Sequence, residues 1–228
     1  GVVGASGDVT LESGSILSLN DSIEKPLIAI AGKNLLLKGN EININALNNP
    51  GSELIAGTGI ILNSPRPVLG NANFWSGGNF EVQDLGVLMS SGNLEIKSLG
   101  DVKFGLYRGG TLQILAGGEV EIETIRISNQ AAIAQGGVPT EINESEALTL
   151  GISAGMQPEA IGTPKNAILA NSFFTPFSNL PKPDTANITI QRILTIPFGG
   201  KGGEITLTNQ EQPNTELMGD IIIGSEEG

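Results

Sequence analysis

The strongest constraint on this chain is a short cassette that keeps returning: one or two glycines, a polar residue, then apolar and polar residues in alternation. Between Trp75 and Arg126 it occurs five times, as Ser76-Gly-Gly-Asn-Phe-Glu-Val-Gln, Ser91-Gly-Asn-Leu-Glu-Ile-Lys, Leu99-Gly-Asp-Val-Lys-Phe-Gly, Gly109-Gly-Thr-Leu-Gln-Ile-Leu and Gly117-Gly-Glu-Val-Glu-Ile-Glu. Alternation with period two marks a half-buried strand. It places Phe80/Val82, Leu94/Ile96, Val102/Phe104, Leu112/Ile114 and Val120/Ile122 on one face. The glycines are expected to supply the unusual backbone angles where one strand turns into the next. Strands this short cannot bury their apolar faces alone, so they must stack on copies of themselves.

The cassette returns at Gly7-Asp-Val-Thr-Leu, Gly32-Lys-Asn-Leu-Leu-Leu, Gly57-Thr-Gly-Ile-Ile-Leu, Gly202-Gly-Glu-Ile-Thr-Leu and Gly219-Asp-Ile-Ile-Ile. Its first apolar positions, from Val9 to Ile221, are separated by 26, 25, 20, 14, 8, 10, 8, 85 and 16 residues. Intervals of 8–10 read as successive sides of one coil and those of 20–26 as a whole coil. This is the rhythm of a β-solenoid with irregular coils. A β-sandwich also shows regular strand spacing, but it does not explain why the cassette itself recurs.

The 228 residues are enough for a single all-β domain over 1–228. Aromatics are few and aliphatic residues abundant, which suits a narrow interior of stacked Val, Ile and Leu. At about 23 residues and ~4.8 Å per coil, the rod would be on the order of 50 Å long. Strand-like sequence reaches both termini without the polar caps that solenoids need, so the chain reads as an internal piece of a longer one, or as a unit whose ends stack on neighbours.

Residues 64–75, with Pro65 and Pro67, read as a loop insertion, because proline removes a ladder donor. Phe74 and Trp75 at its end are candidates for carbohydrate contact, or for a plug over the flank. A longer Pro-rich excursion spans 129–185, with one further strand near Asn143–Leu150 and three phenylalanines, Phe173, Phe174 and Phe177, close together. Long ordered loops are uncommon unless they serve something. Asn43 and Asn45, at alternate positions, either stack coil on coil as a hydrogen-bonded ladder or face water.

With 24 acidic and 12 basic residues, the chain has a net charge of −12 and no basic face for phosphate, so nucleic acid is not an expected partner. It contains no cysteine and no histidine, which removes disulfides, thiolate sites and the usual catalytic triads. No apolar run is long enough for membrane insertion as a helix. Glu119, Glu121 and Glu123, with Glu81 and Glu95, are the carboxylates a glycosidase would need in a groove. The same alternation serves solubility, and no enzyme is expected. Gly105–Gly110 and Gly199–Gly203 lack the spacing of a phosphate loop and read as turns. No cofactor is expected, although acidic turns permit incidental calcium.

The cassettes of residues 99–122, together with Gly203-Glu-Ile-Thr-Leu-Thr-Asn-Gln-Glu-Gln-Pro-Asn-Thr and Met218-Gly-Asp-Ile, resemble the large secreted repeat proteins of cyanobacteria that are described as filamentous-haemagglutinin-like surface exoproteins. The resemblance covers residues 76–228 loosely. It implies a right-handed parallel β-helix, export and a place outside the cell or at its surface, and it carries no catalytic residues. The expected function is therefore structural or adhesive: a β-helical rod that assembles with itself end to end into filaments. Val2 and Val3 at one end, Ile221, Ile222 and Ile223 at the other, and Phe173, Phe174 and Phe177 laterally are the expected contacts. The alternatives are a β-helix that binds or cleaves a cell-surface or matrix polysaccharide, and a passive stalk segment of a larger adhesin.

Overall fold

The computed structural model describes residues 1–128, 148–196, 203–209 and 217–224. It is nearly all β, and its strands form two parallel sheets. Each passage of the chain contributes one strand to the first sheet and then, in the first seven, one long or two short strands to the second; the eighth adds one short strand there. We call each passage a rung. The rungs are β1 (Val2–Ala5) with β2 (Val9–Asn20); β3 (Ile28–Ala31) with β4 (Asn34–Asn45); β5 (Glu53–Ala56) with β6 (Gly59–Ser64) and β7 (Val68–Asn71); β8 (Asn73–Ser76) with β9 (Asn79–Asp84) and β10 (Val87–Ser90). They continue as β11 (Leu94–Ser98) with β12 (Val102–Gly109); β13 (Leu112–Ala116) with β14 (Val120–Ser128); β15 (Thr149–Ser153) with β16 (Ile188–Ile196); and β17 (Glu204–Thr208) with β18 (Ile221–Ile223). Two single-turn helices, α1 (Pro158–Ile161) and α2 (Ala167–Ala170), lie between β15 and β16.

Every strand pairs in parallel with its counterpart one rung away. The long strands each cover two sides: β6 lies on the first half of β4 and β7 on its second half, while β9 and β10 divide β12 in the same way. Rung-to-rung steps of 26, 25, 20, 22 and 18 residues follow from Val2↔Ile28, Ala29↔Leu54, Leu54↔Phe74, Phe74↔Ile96 and Ile96↔Ile114. The two 8-residue intervals in the sequence are steps between sheets within one rung, and the 10-residue interval is the step from β12 to β13 in the next. Eight rungs at about 4.8 Å extend roughly 35–40 Å, less than the length expected from residue count because the segment between β15 and β16 adds no rung.

The interior follows from this register. Val9, Leu35, Ile60, Phe80, Val102, Val120 and Ile188 form one column in the second sheet, each paired with the next. Ala29, Leu54, Phe74, Ile96, Ile114 and Ile152 form the facing column in the first. All are buried, and together they make one continuous apolar core.

Several sequence expectations need correction. Residues 64–75 are not a loop: β7 lies within them and β8 begins there, with the prolines in the short link before Val68. Gly105–Gly109 is not a turn but the second half of β12. The expected excursion at 129–185 contains β15, which pairs with both β13 and β17. The strand expected near Asn143 is described only from Leu148 onward, and most of the Gly199–Gly203 turn and of the Thr208–Thr215 stretch lies outside the described residues. The cassette glycines also act differently from expectation. Gly32, Gly57 and Gly77 do not have positive φ. A Cβ on any of them would stand 2.2–2.3 Å from the carbonyl oxygen of the preceding rung, so glycine is required for close approach at the corner.

Candidate functional site

The largest built feature outside the core is a strap that leaves β15 and returns to β16. The outward row of the first sheet, Ile30, Ile55 and Trp75, is apolar and buried beneath it. With Ile28, Leu99, Met156, Ile161 and Ala170 these residues form a second apolar cluster, flanked by the half-buried Phe173, Phe174 and Phe177. Phe174 stacks on Trp75 at 6.0 Å and Phe177 tilts against it at 6.5 Å. The Trp75 indole N–H donates to Gly162 O at 2.8 Å. Phe173 reaches the first rung, where its ring fills the space a side chain on Gly4 would need. The strap thus connects rung seven to rung one.

Polar anchoring comes from Glu53, whose carboxylate is only 3% exposed. It accepts the backbone N–H groups of Lys165 and Asn166 and the Asn166 side-chain amide, all at 3.0 Å. A buried carboxylate is tolerated only when its oxygens are satisfied in this manner. Neither Glu53 nor the strap contact of Trp75 is visible in the sequence pattern.

This geometry corrects the carbohydrate reading of Phe74 and Trp75. Phe74 points into the core, in edge contact with Phe80 at 5.1 Å, and Trp75 lies beneath the strap; both are 1% exposed. The alternative reading, a plug over the flank, describes Trp75 but not Phe74. Of the three phenylalanines expected to make lateral contacts between molecules, Phe174 and Phe177 pack on Trp75 and Phe173 lies against Gly4. At the ends, Val2, Val3, Ile221 and Ile223 are exposed and Ile222 is half-buried.

Polar side chains form axial ladders. Asn45 donates to Asn20, and Asn71 to Asn45, each at 3.2 Å. Asn43 bonds Glu41 within its own rung. At the glycine corner, Asp8 accepts the N–H of Asn34, Asn79 that of Asp101, Asp101 that of Glu119, and Asn187 that of Asp220, at 2.8–3.0 Å. This column is interrupted at Gly59, which has no side chain. Beside the gap an open cleft of roughly 370 Å³ is lined by Asn34, Gly59, Asn79, Glu81, Asn179 and Pro181.

Four of the five acidic residues weighed as catalytic, all but Glu123, have structural partners among the described residues. Glu121 pairs with Lys103 at 2.7 Å, Glu95 with Lys97 at 3.4 Å, and Glu81 accepts the Gln83 amide at 2.7 Å. Glu119 receives the Thr185 hydroxyl and the Asn187 amide. Burial, with the nearby Asp101 charge, raises the Glu119 carboxyl above its usual range. Partial burial acts the same way on Asp21, but bonds from Ser52, Asn48 and Asn49 outweigh it and leave the pKa lowered. Asp8 is lowered chiefly by the backbone N–H of Asn34 and then by its side chain.

Among the described residues no group of three acidic side chains could hold a metal ion, and no helix is long and apolar enough to cross a membrane. No protein-family model, no curated protein and no solved structure matches this chain.

Proposed function

We propose that this chain is a structural and adhesive element of the cell exterior, a right-handed parallel β-helical rod that extends by stacking rung on rung. The observation that carries this reading is where the polar chemistry goes. Asn and Asp side chains are engaged along the rod axis, in the Asn20–Asn45–Asn71 ladder and the corner column, and the strap spans rungs one to seven. Such an arrangement resists separation of the rungs. Right-handed winding is supported by the strong bias of parallel crossover connections, roughly 98% of which are right-handed.

Placement outside the cell rests on the resemblance to cyanobacterial filamentous-haemagglutinin-like exoproteins. End-to-end growth rests on the two outermost pairs of strands. Among the described strands β1 and β18 each have one neighbour, and open strand edges template further pairing. Negative-stain images of the purified chain, with and without calcium, are expected to show filaments far longer than the ~35–40 Å rod. Deletion of residues 218–228 removes the Ile221–Ile223 edge and is expected to abolish them. Isolated rods from the intact chain, or filaments of normal length from the deletion, would overturn end-to-end assembly.

A further inference from the structure

The outward surface carried by β10 and the second halves of β12, β14 and β16 departs from the acidic balance of the chain. Three of the four arginines stand there, Arg108, Arg126 and Arg192, all exposed. Arg108 pairs directly with Arg126 across neighbouring strands, and Arg192 lies opposite Thr124, two residues from Arg126. Among the described residues none of these guanidiniums has a carboxylate partner. Elsewhere Lys38, Arg66, Lys97 and Lys103 each hold one. Like charges directly opposite one another destabilise a sheet. Here they stand together in a protein with twice as many acidic as basic residues, which would readily supply a counter-charge. The other described outward positions on this surface are uncharged: Val87, Met89, Leu106, Thr124 and Ser128 are half-buried and Leu194 is exposed. The nearest carboxylates on β14 are Glu123, at the bend, and Glu121, which is held by Lys103.

We propose that this surface binds a linear anionic polysaccharide, one carrying carboxylate or sulfate groups, along the rod axis. The guanidinium fork matches a carboxylate or sulfate oxygen pair. Parallel strands place Arg108 and Arg126 about 4.8 Å apart along the axis, a spacing suited to successive charges on an extended chain. Met89 and Leu194 offer apolar contact to the C–H faces of sugar rings on either side. The arginines occupy only three rungs, β12, β14 and β16, and the whole footprint four. A nucleic acid duplex would overrun it onto acidic surface, so a flexible glycan is favoured over a polyphosphate. This proposal does not depend on whether rods stack end to end.

The test is binding of the intact chain to immobilised dextran sulfate and polygalacturonate, with neutral dextran and duplex DNA alongside, at rising salt. Dextran sulfate, polygalacturonate or both are expected to bind at low salt, with affinity falling as salt rises, and neutral dextran not at all. The double variant Arg108→Gln/Arg126→Gln is expected to lose at least tenfold in affinity and to flatten the salt dependence, while its melting temperature stays level or rises. Arg66→Gln, which removes a cation paired with Glu41 outside this surface, is expected to bind like the parent. Absence of binding to both anionic glycans, equal binding by the double variant, or tighter binding to DNA than to either glycan would overturn the proposal.

Discussion

At the scale of single residues, the position after the cassette glycine decides how firmly one rung holds the next. Asp8, Asn79, Asp101 and Asn187 each accept a backbone N–H from the adjacent rung. Gly59 has an ordinary φ, and a Cβ there would approach Asn34 Oδ1 at 3.2 Å, a contact that a small shift of the amide relieves. Gly59→Asn is therefore expected to complete the column and raise stability by about 1 kcal/mol, through one added hydrogen bond and a less flexible unfolded chain. Denaturant unfolding measures it, and an unchanged midpoint refutes it. Titration has two opposed parts. The Glu119 pKa is raised in the folded state, so protonation on descending from neutral pH toward about 4.5 relieves its burial and its repulsion from Asp101, and stability rises. Asp8 and Asp21 are lowered, so their contribution is present above the unfolded value of about 4 and is lost as pH falls through their folded pKa values. Melting temperature is expected to peak in mildly acid solution, and Glu119→Gln to remove the rise on its neutral side.

The strap is the element the cassette does not announce, yet it leaves a mark in the strands it covers. β3 and β5 are buried at all four positions, so Ile28–Ala31 and Glu53–Ala56 lack the alternation that marks β11, β13 and β14. Two-sided burial therefore conceals β5 from a search for period two and makes the Trp75 region resemble an insertion. Because Trp75 is the sole tryptophan, its fluorescence reports strap docking directly. Glu53→Ala removes the acceptor of the Lys165 and Asn166 N–H groups in two part-buried hydrogen bonds, at a cost of about 1 kcal/mol for each. The expected result is red-shifted emission and cleavage by protease within 157–182, with the β-sheet circular dichroism retained. Emission at the parent wavelength would show that the apolar cluster holds the strap without Glu53. Trp75→Ala removes the centre of that cluster and is expected to cost about 3–5 kcal/mol.

At the scale of the whole molecule, each rung is secured by its neighbours, so protection should decline toward the two open edges. Hydrogen exchange is expected to be slowest in β5–β14 and fastest in β17 and β18, with exchange at the edges slowing as protein concentration rises if rods stack. Edge exchange independent of concentration would count against stacking. The sequence alone determined the strand-forming segments with one exposed face and the 20–26-residue repeat of the early rungs, because period-two patterning and glycine spacing are local properties of the chain. Tertiary structure alone decided that Trp75 is covered, that Glu53 is an anchor, that the cassette glycines admit a neighbouring carbonyl, and that Arg108, Arg126 and Arg192 share one surface. Those relations join residues 18 to 113 positions apart, and only the stacking of rungs and the return of the strap bring them into contact.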